Sequence, residues 1–165
     1  MSEDLNSQMI EYIKDAHAME ASVSRLLDSM ISATSDQEIR ELLVQHKDET
    51  ERHKQLLTER LRAHGVEPST VKDVAAQAGA FVKGVADRAR GDHPGKNARD
   101  AFTIEHLEIA AYELLERFAK RAGDEQTAHV ARSNRKDEEA MAKKIDKNWD
   151  KFVELTIREE ELVAS

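Results

Sequence analysis

Residues 45–55 read QHKDETERHKQ, and leucines flank them at 42, 43, 56 and 57. A helix through this stretch carries its buried stripe on positions 42, 46, 49, 53 and 56, so His46, Glu49 and His53 stand where apolar side chains are expected. The same intrusion recurs three times. The apolar series Met9, Ile13, Ala16, Val23, Leu27 and Met30 lacks one step, and Glu20 fills it. Both helical phases that end on Leu115 turn Glu108 inward, and one of them adds Glu105 and Tyr112. The series 131, 134, 138, 141, 145 turns Asn134 and Glu138 toward the core. Ionised carboxylates in an apolar interior cost on the order of several kcal/mol each unless something neutralises them. Protons or Lys/Arg partners are alternatives, but the inner faces offer few cations at this height. Two metal ions would remove the charge most directly and would give His53 a role as nitrogen ligand. With no cysteine in the chain, such ions must be held by carboxylate and imidazole, a donor set that suits iron, manganese or zinc.

The elements that position these residues follow from periodicity and punctuation. Helices are expected at about 5–32, 36–64, 70–90, 98–122 and 124–160, with a crossover over 65–97, in a single domain of 165 residues. A Ser/Thr/Asp cluster over 32–36 separates the first two, and Ser35 with Glu38 reads as a capping box. Gly65 and Pro68 end the second helix, GDHPGKN reads as a linker, and Gly123 is placed as the C-cap between the last two. Two helical hairpins with short turns, joined by a long connection that carries its own helix, make an all-α four-helix bundle with one crossover.

Height supports convergence. Glu20 and Glu49 are equidistant from the centre of the first turn, and Glu108 and Glu138 are equidistant from Gly123. Each lies about 15 residues from its turn, roughly 22 Å at ~1.5 Å per residue, near the middle of a helix of this length. Around the four glutamates, Glu105 reads as a ligand or a neighbouring acceptor, Tyr112 as a hydrogen-bond partner or core, and His46 as a satisfied core histidine.

Composition narrows the classes. Charged residues make up 35% of the chain and aromatics 4%, so the core must be aliphatic and thin. A net charge of −8 with no basic run argues against nucleic-acid and anionic-membrane partners. The segment MSEDLNSQ has neither a basic nor an apolar targeting region, and no apolar run approaches a membrane span, so a cytoplasmic location is expected.

Four segments, DAHAMEASV (15–23), HKDETERH (46–53), IEHLEIAAY (104–112) and KDEEAMAKKI (136–145), resemble the helical motifs of the YciE/YciF-type ferritin-like family of small bacterial stress-associated proteins. The resemblance spans about residues 3–155 in order. It implies a ferritin-like fold, a homodimer through helical faces and a di-iron or dimanganese centre; ferrous iron oxidation or peroxide handling is the activity expected of the metal site itself. The chain departs from the usual Glu-x-x-His spacing: His53 follows Glu49 by four positions, and Met141 stands where a histidine would follow Glu138. The expected metal ligands are therefore Glu20, Glu49, His53, Glu105, Glu108 and Glu138, and the competing expectation is a metal-free helical stress protein acting through protein contacts.

Overall fold

The computed structural model describes residues 4–68 and 93–161. The helix predicted over 70–90 lies outside them. Five helices are present and no strand among the described residues: α1 (Leu5–Ala33), α2 (Gln37–Ala63), α3 (Pro94–Ala122), α4 (Glu125–Asp146) and α5 (Trp149–Glu159). Among the described residues no helix is long and apolar enough to cross a membrane.

α1 packs on α2 and α3 on α4; α1 also meets α3, and α2 meets α4, so the order around the bundle is α1, α2, α4, α3. Each of these neighbours is antiparallel. Along α1 and α2 the partners run Asp28–Lys47, Ser24–Glu51 and His17–Thr58; along α2 and α4 they run His53–Asp137 and Arg60–Thr127; Tyr12 stacks on Phe118 between α1 and α3. α2 ends beside the start of α4, whereas Pro94 and Asn97 of α3 lie with Ser35 and Asp36 at the α1–α2 turn. The chain thus leaves α2 and enters α3 at opposite ends of the bundle, as a single-crossover topology requires.

The caps explain where the helices stop. Asp36, not Ser35, caps α2: its carboxylate accepts from the Ile39 amide at 2.9 Å. Ser35 instead bonds Glu159. Gly123 takes the left-handed conformation (φ 78°) at the C-cap of α3, as its type predicts. α3 starts four residues earlier than the linker reading allows, because Pro94 sits at the first helical turn, where its missing N–H costs nothing. Gly95 then lets α5 approach: its amide donates to Thr156 Oγ1 at 2.9 Å, and a Cβ there would stand only 3.0 Å from that oxygen. The single helix predicted over 124–160 is broken at 147–148, where the Asn148 side chain donates to the Lys144 carbonyl (2.7 Å) and its amide bonds Ile145.

The core is aliphatic and divided. Met9, Ile13, Leu57, Leu61, Leu115 and Ala128 fill one end; Val23, Leu27, Met30, Leu43 and Ile104 pack at the other, beside Met141, Ile145 and Phe152. Between them lies a polar layer. Leu107 of α3 is exposed.

The sharpest electrostatic feature outside that layer is Asp124. It caps α4 through the Thr127 amide (2.9 Å) and bonds the Thr127 hydroxyl, His64 Nε2 (2.7 Å) and Arg60 Nη2 (3.0 Å). Burial alone would raise its carboxyl; the Thr127 bonds, then His64 and Arg60, outweigh that and hold it well below the usual carboxylate range. A depressed folded pKa gives stability that is present above the unfolded value near ~3.9 and is lost as pH falls toward the folded one. Asp124→Ala should therefore destabilise the fold by about 2 kcal/mol at neutral pH in thermal melts, and the gap to the unmodified chain should narrow below about pH 4.

Candidate metal centre

The polar layer is built from one stripe of each bundle helix. α1 supplies Glu20; α2 supplies His46 and His53, two turns apart; α3 supplies Glu105 and Glu108, one turn apart; α4 supplies Glu138. All six side chains are buried, and Glu20, His53, Glu108 and Glu138 are wholly inaccessible. They form two groups whose donor atoms lie within 4.8 Å of one another: Glu20, His53 and Glu138 on one side, His46, Glu105, Glu108 and Glu138 on the other. Glu138 belongs to both.

Within the first group His53 Nδ1 is 2.8 Å from Glu138 Oε1 and 3.3 Å from Glu20 Oε1. In the second, His46 Nε2 is 3.1 Å from Glu105 Oε1 and 3.7 Å from Glu138 Oε2. These atoms are close without meeting hydrogen-bond geometry. Among the described residues ten buried side-chain nitrogen and oxygen atoms have no hydrogen-bond partner, and eight of them are His46 Nε2, His53 Nδ1 and oxygens of Glu20, Glu105, Glu108 and Glu138. Native interiors leave few such atoms unsatisfied. A cluster of them, with lone pairs converging on shared space, fits a bound cation.

The electrostatics carry the same message. Burial, reinforced by Glu138, Glu20 and Glu105, pushes the Glu108 carboxyl well up. Glu105 rises to about 7, driven by burial and tempered by His46. Burial raises Glu20 against the pull of His53 and Tyr112. Burial would lower His53, but the Glu138 and Glu20 carboxylates overcome it and lift the imidazole to about 10; His46 rises likewise, mainly through Glu105. Without other cations, the cluster gathers protons.

The outward nitrogens of both histidines are occupied. His53 Nε2 lies 3.0 Å from Asp137 Oδ2, which also holds Arg52, and His46 Nδ1 lies 3.4 Å from Glu49 Oε2. A carboxylate behind each ring selects the tautomer whose free nitrogen faces inward, as metal-ligating histidines require. Behind Glu20, Tyr112 donates to Oε1 and accepts from Asn134 Nδ2 at 3.1 Å.

Of the six residues expected as ligands, the fold brings Glu20, His53, Glu105, Glu108 and Glu138 together and leaves out Glu49, whose side chain is 25% exposed and sits outside both donor groups. His46, read from the sequence as a satisfied core histidine, takes the inward place instead. The cause is register. The α1–α2 partners are symmetric about a point between Gln37 and Glu38, not about the middle of the turn at 34 and 35, so Glu20 stands level with His53. Asp137 carries no signal in the sequence beyond its adjacency to Glu138. Glu139 points away and pairs with Arg135. An apolar cavity of about 50 Å³ at the α1–α2 end of the bundle, lined by residues such as Met30, Leu43, Ala98 and Phe152, includes none of the six.

A family model described as "Domain of unknown function (DUF892)" matches residues 4–158. The chain belongs to that family. Solved structures agree on its fold. The E. coli stress protein YciF is 16% identical, covers 93% of this chain and 99% of its own, and superposes with a TM-score of 0.76. A Xanthomonas campestris protein is 22% identical over 96% of this chain and 99% of that one, with a TM-score of 0.78. YcfI from Rhodopseudomonas palustris is 18% identical over 87% and 94%, with a TM-score of 0.71. This DUF892 chain is an all-α protein that shares its fold with YciF, in keeping with the likeness read from four short segments.

Removing a carboxylate from behind a metal-ligating histidine typically costs ~10–100-fold in metal affinity. If the layer takes up manganese, Asp137→Asn should weaken that binding within this range by calorimetry while leaving the far-ultraviolet circular dichroism unchanged. Unaltered affinity would remove Asp137 from the assembly.

Proposed function

We propose that this chain is a dinuclear metal protein of the ferritin-like kind, holding two divalent ions between Glu20, His53 and Glu138 on one side and His46, Glu105, Glu108 and Glu138 on the other, and that it oxidises ferrous iron or consumes peroxide. One observation carries this reading: the buried, unpartnered donor atoms of six side chains from four helices, which share Glu138. Charge supports it. Four carboxylates balance two divalent cations with both imidazoles neutral, so the occupied layer would carry no net charge and the desolvation cost of the glutamates would be offset.

Iron or manganese ions held there would supply redox chemistry toward dioxygen or peroxide. The chain's own residues do the rest. Glu138 joins the two groups, Asp137 and Glu49 hold the imidazole rings, Tyr112 fixes Glu20, and the apolar ends of the core exclude bulk water.

Proton uptake favours the metal-free reading, because protons also neutralise the layer. Protons remove charge but each adds a single donor, whereas both oxygens of Glu108 and of Glu138 are without partners. A metal pair satisfies both requirements. A role in the stress response, a cytoplasmic location and a homodimer that covers Leu107 and Leu114 of α3 complete the proposal.

Protein prepared without chelator and loaded with ferrous iron should hold two ions per chain by elemental analysis and should oxidise iron in air faster than buffer alone. Absence of bound metal, together with a background oxidation rate, would leave the metal-free alternative.

A further inference from the structure

α2 buries no carboxylate between its two inward histidines. Thr50 stands there, four residues after His46 and three before His53, so the helix places all three on one stripe. It is fully buried, and its hydroxyl has no hydrogen-bond partner. Helical threonines commonly return the hydroxyl to the carbonyl one turn back. Thr103 does so to Arg99 at 2.9 Å and Thr156 to Phe152 at 2.8 Å. Thr50 does not, although both ends of the donor are out of water.

The donor distribution points the same way. α1, α3 and α4 all present carboxylates to the layer, while α2 presents two rings with a short hydroxyl side chain between them. The group Glu20, His53 and Glu138 offers one donor atom from each of three residues, fewer than the other side, and first-row ions with so few protein ligands keep open positions. A glutamate at this position would fill the α2 side of the layer between the histidines; the shorter Thr50 side chain does not reach as far.

We propose that Thr50 marks the open side of the metal pair and that its hydroxyl donates a hydrogen bond to a small oxygen- or nitrogen-donor anion bound there, of hydroxide to triatomic size. This rests on the metal-site reading above and names the class of external ligand that site takes. The unpaired hydroxyl in the metal-free protein is the donor reserved for that ligand.

The test uses the full chain loaded with cobalt(II) as a coloured divalent ion and titrated with azide, followed by visible absorption. Cobalt uptake is measured first. Thr50→Val, close in shape and lacking the hydroxyl, should take up as much cobalt as the unmodified chain and bind azide about tenfold more weakly, the scale of one hydrogen bond to a charged acceptor. Thr50→Ser should restore azide affinity to within about twofold of the original. The metal-free Thr50→Val protein should melt no lower than the unmodified one, since no internal bond is lost. Equal azide affinity with and without the hydroxyl overturns the proposal, and so does a lower melting temperature of Thr50→Val with azide binding unchanged, which would make the hydroxyl a structural group. A chain that takes up no cobalt overturns the metal-site reading itself, and this proposal with it; that result is separate because uptake is read before azide is added.

Discussion

Glu138→Ala should abolish the proposed two-ion site, taking bound metal from the two ions per chain expected there to one or none. Glu138 is the residue common to both donor groups, with Oε1 2.8 Å from His53 Nδ1 and Oε2 3.7 Å from His46 Nε2. Its removal subtracts a ligand from each ion at once and leaves three carboxylates, too few to neutralise two divalent cations. The loss should exceed the roughly 10–100-fold cost of losing a carboxylate behind a ligating histidine. Glu139→Ala is the matched control: the neighbouring glutamate is 43% exposed, pairs with Arg135 and belongs to neither group. Elemental analysis after gel filtration reads both. Two ions retained by Glu138→Ala would show that the layer is not the binding site.

Manganese or iron should raise the melting temperature steeply. In the metal-free chain the layer leaves Glu20, Glu105, Glu108 and Glu138 with unpartnered oxygens in the interior. Each ion that binds the folded state alone adds about 2.7 kcal/mol when present at ~100 times its Kd. Two ions then give about 5 kcal/mol, and at about 2–4 °C per kcal/mol for a chain of this size the midpoint should move by roughly 10–20 °C. Chelator should reverse the shift, and Glu138→Ala should not show it. A shift of the same size in that variant would place the ions elsewhere on the acidic surface.

The sequence located most of the buried polar layer because its two informative features are local. An acidic side chain in an apolar phase is visible wherever the phase is well defined, as at Glu20 between Ala16 and Val23, or at Glu138 between Asn134 and Met141. Height was legible for the second hairpin because Gly123 makes a tight, nearly symmetric turn. Interhelical partners such as Glu116–Arg132 and Glu113–Arg135 then fall symmetrically about a point beside it. The first turn is different. Asp36 caps α2 from inside the apparent break, and the register moves by several residues toward α2.

By itself, then, the sequence determined that the chain is helical, where its apolar stripes run, and that each bundle helix sets polar side chains into its buried stripe, since these follow from side-chain type and a fixed period of about 3.6 residues. Only the tertiary structure decided which side chains of α2 face the centre. One residue of phase is about 100° of rotation on a helix, so His46, Thr50 and His53 form the inward stripe while Glu49 lies on its flank. Tertiary structure alone also brought Asp137 to the back of His53, because that contact joins residues from helices distant in sequence, and no local pattern encodes it.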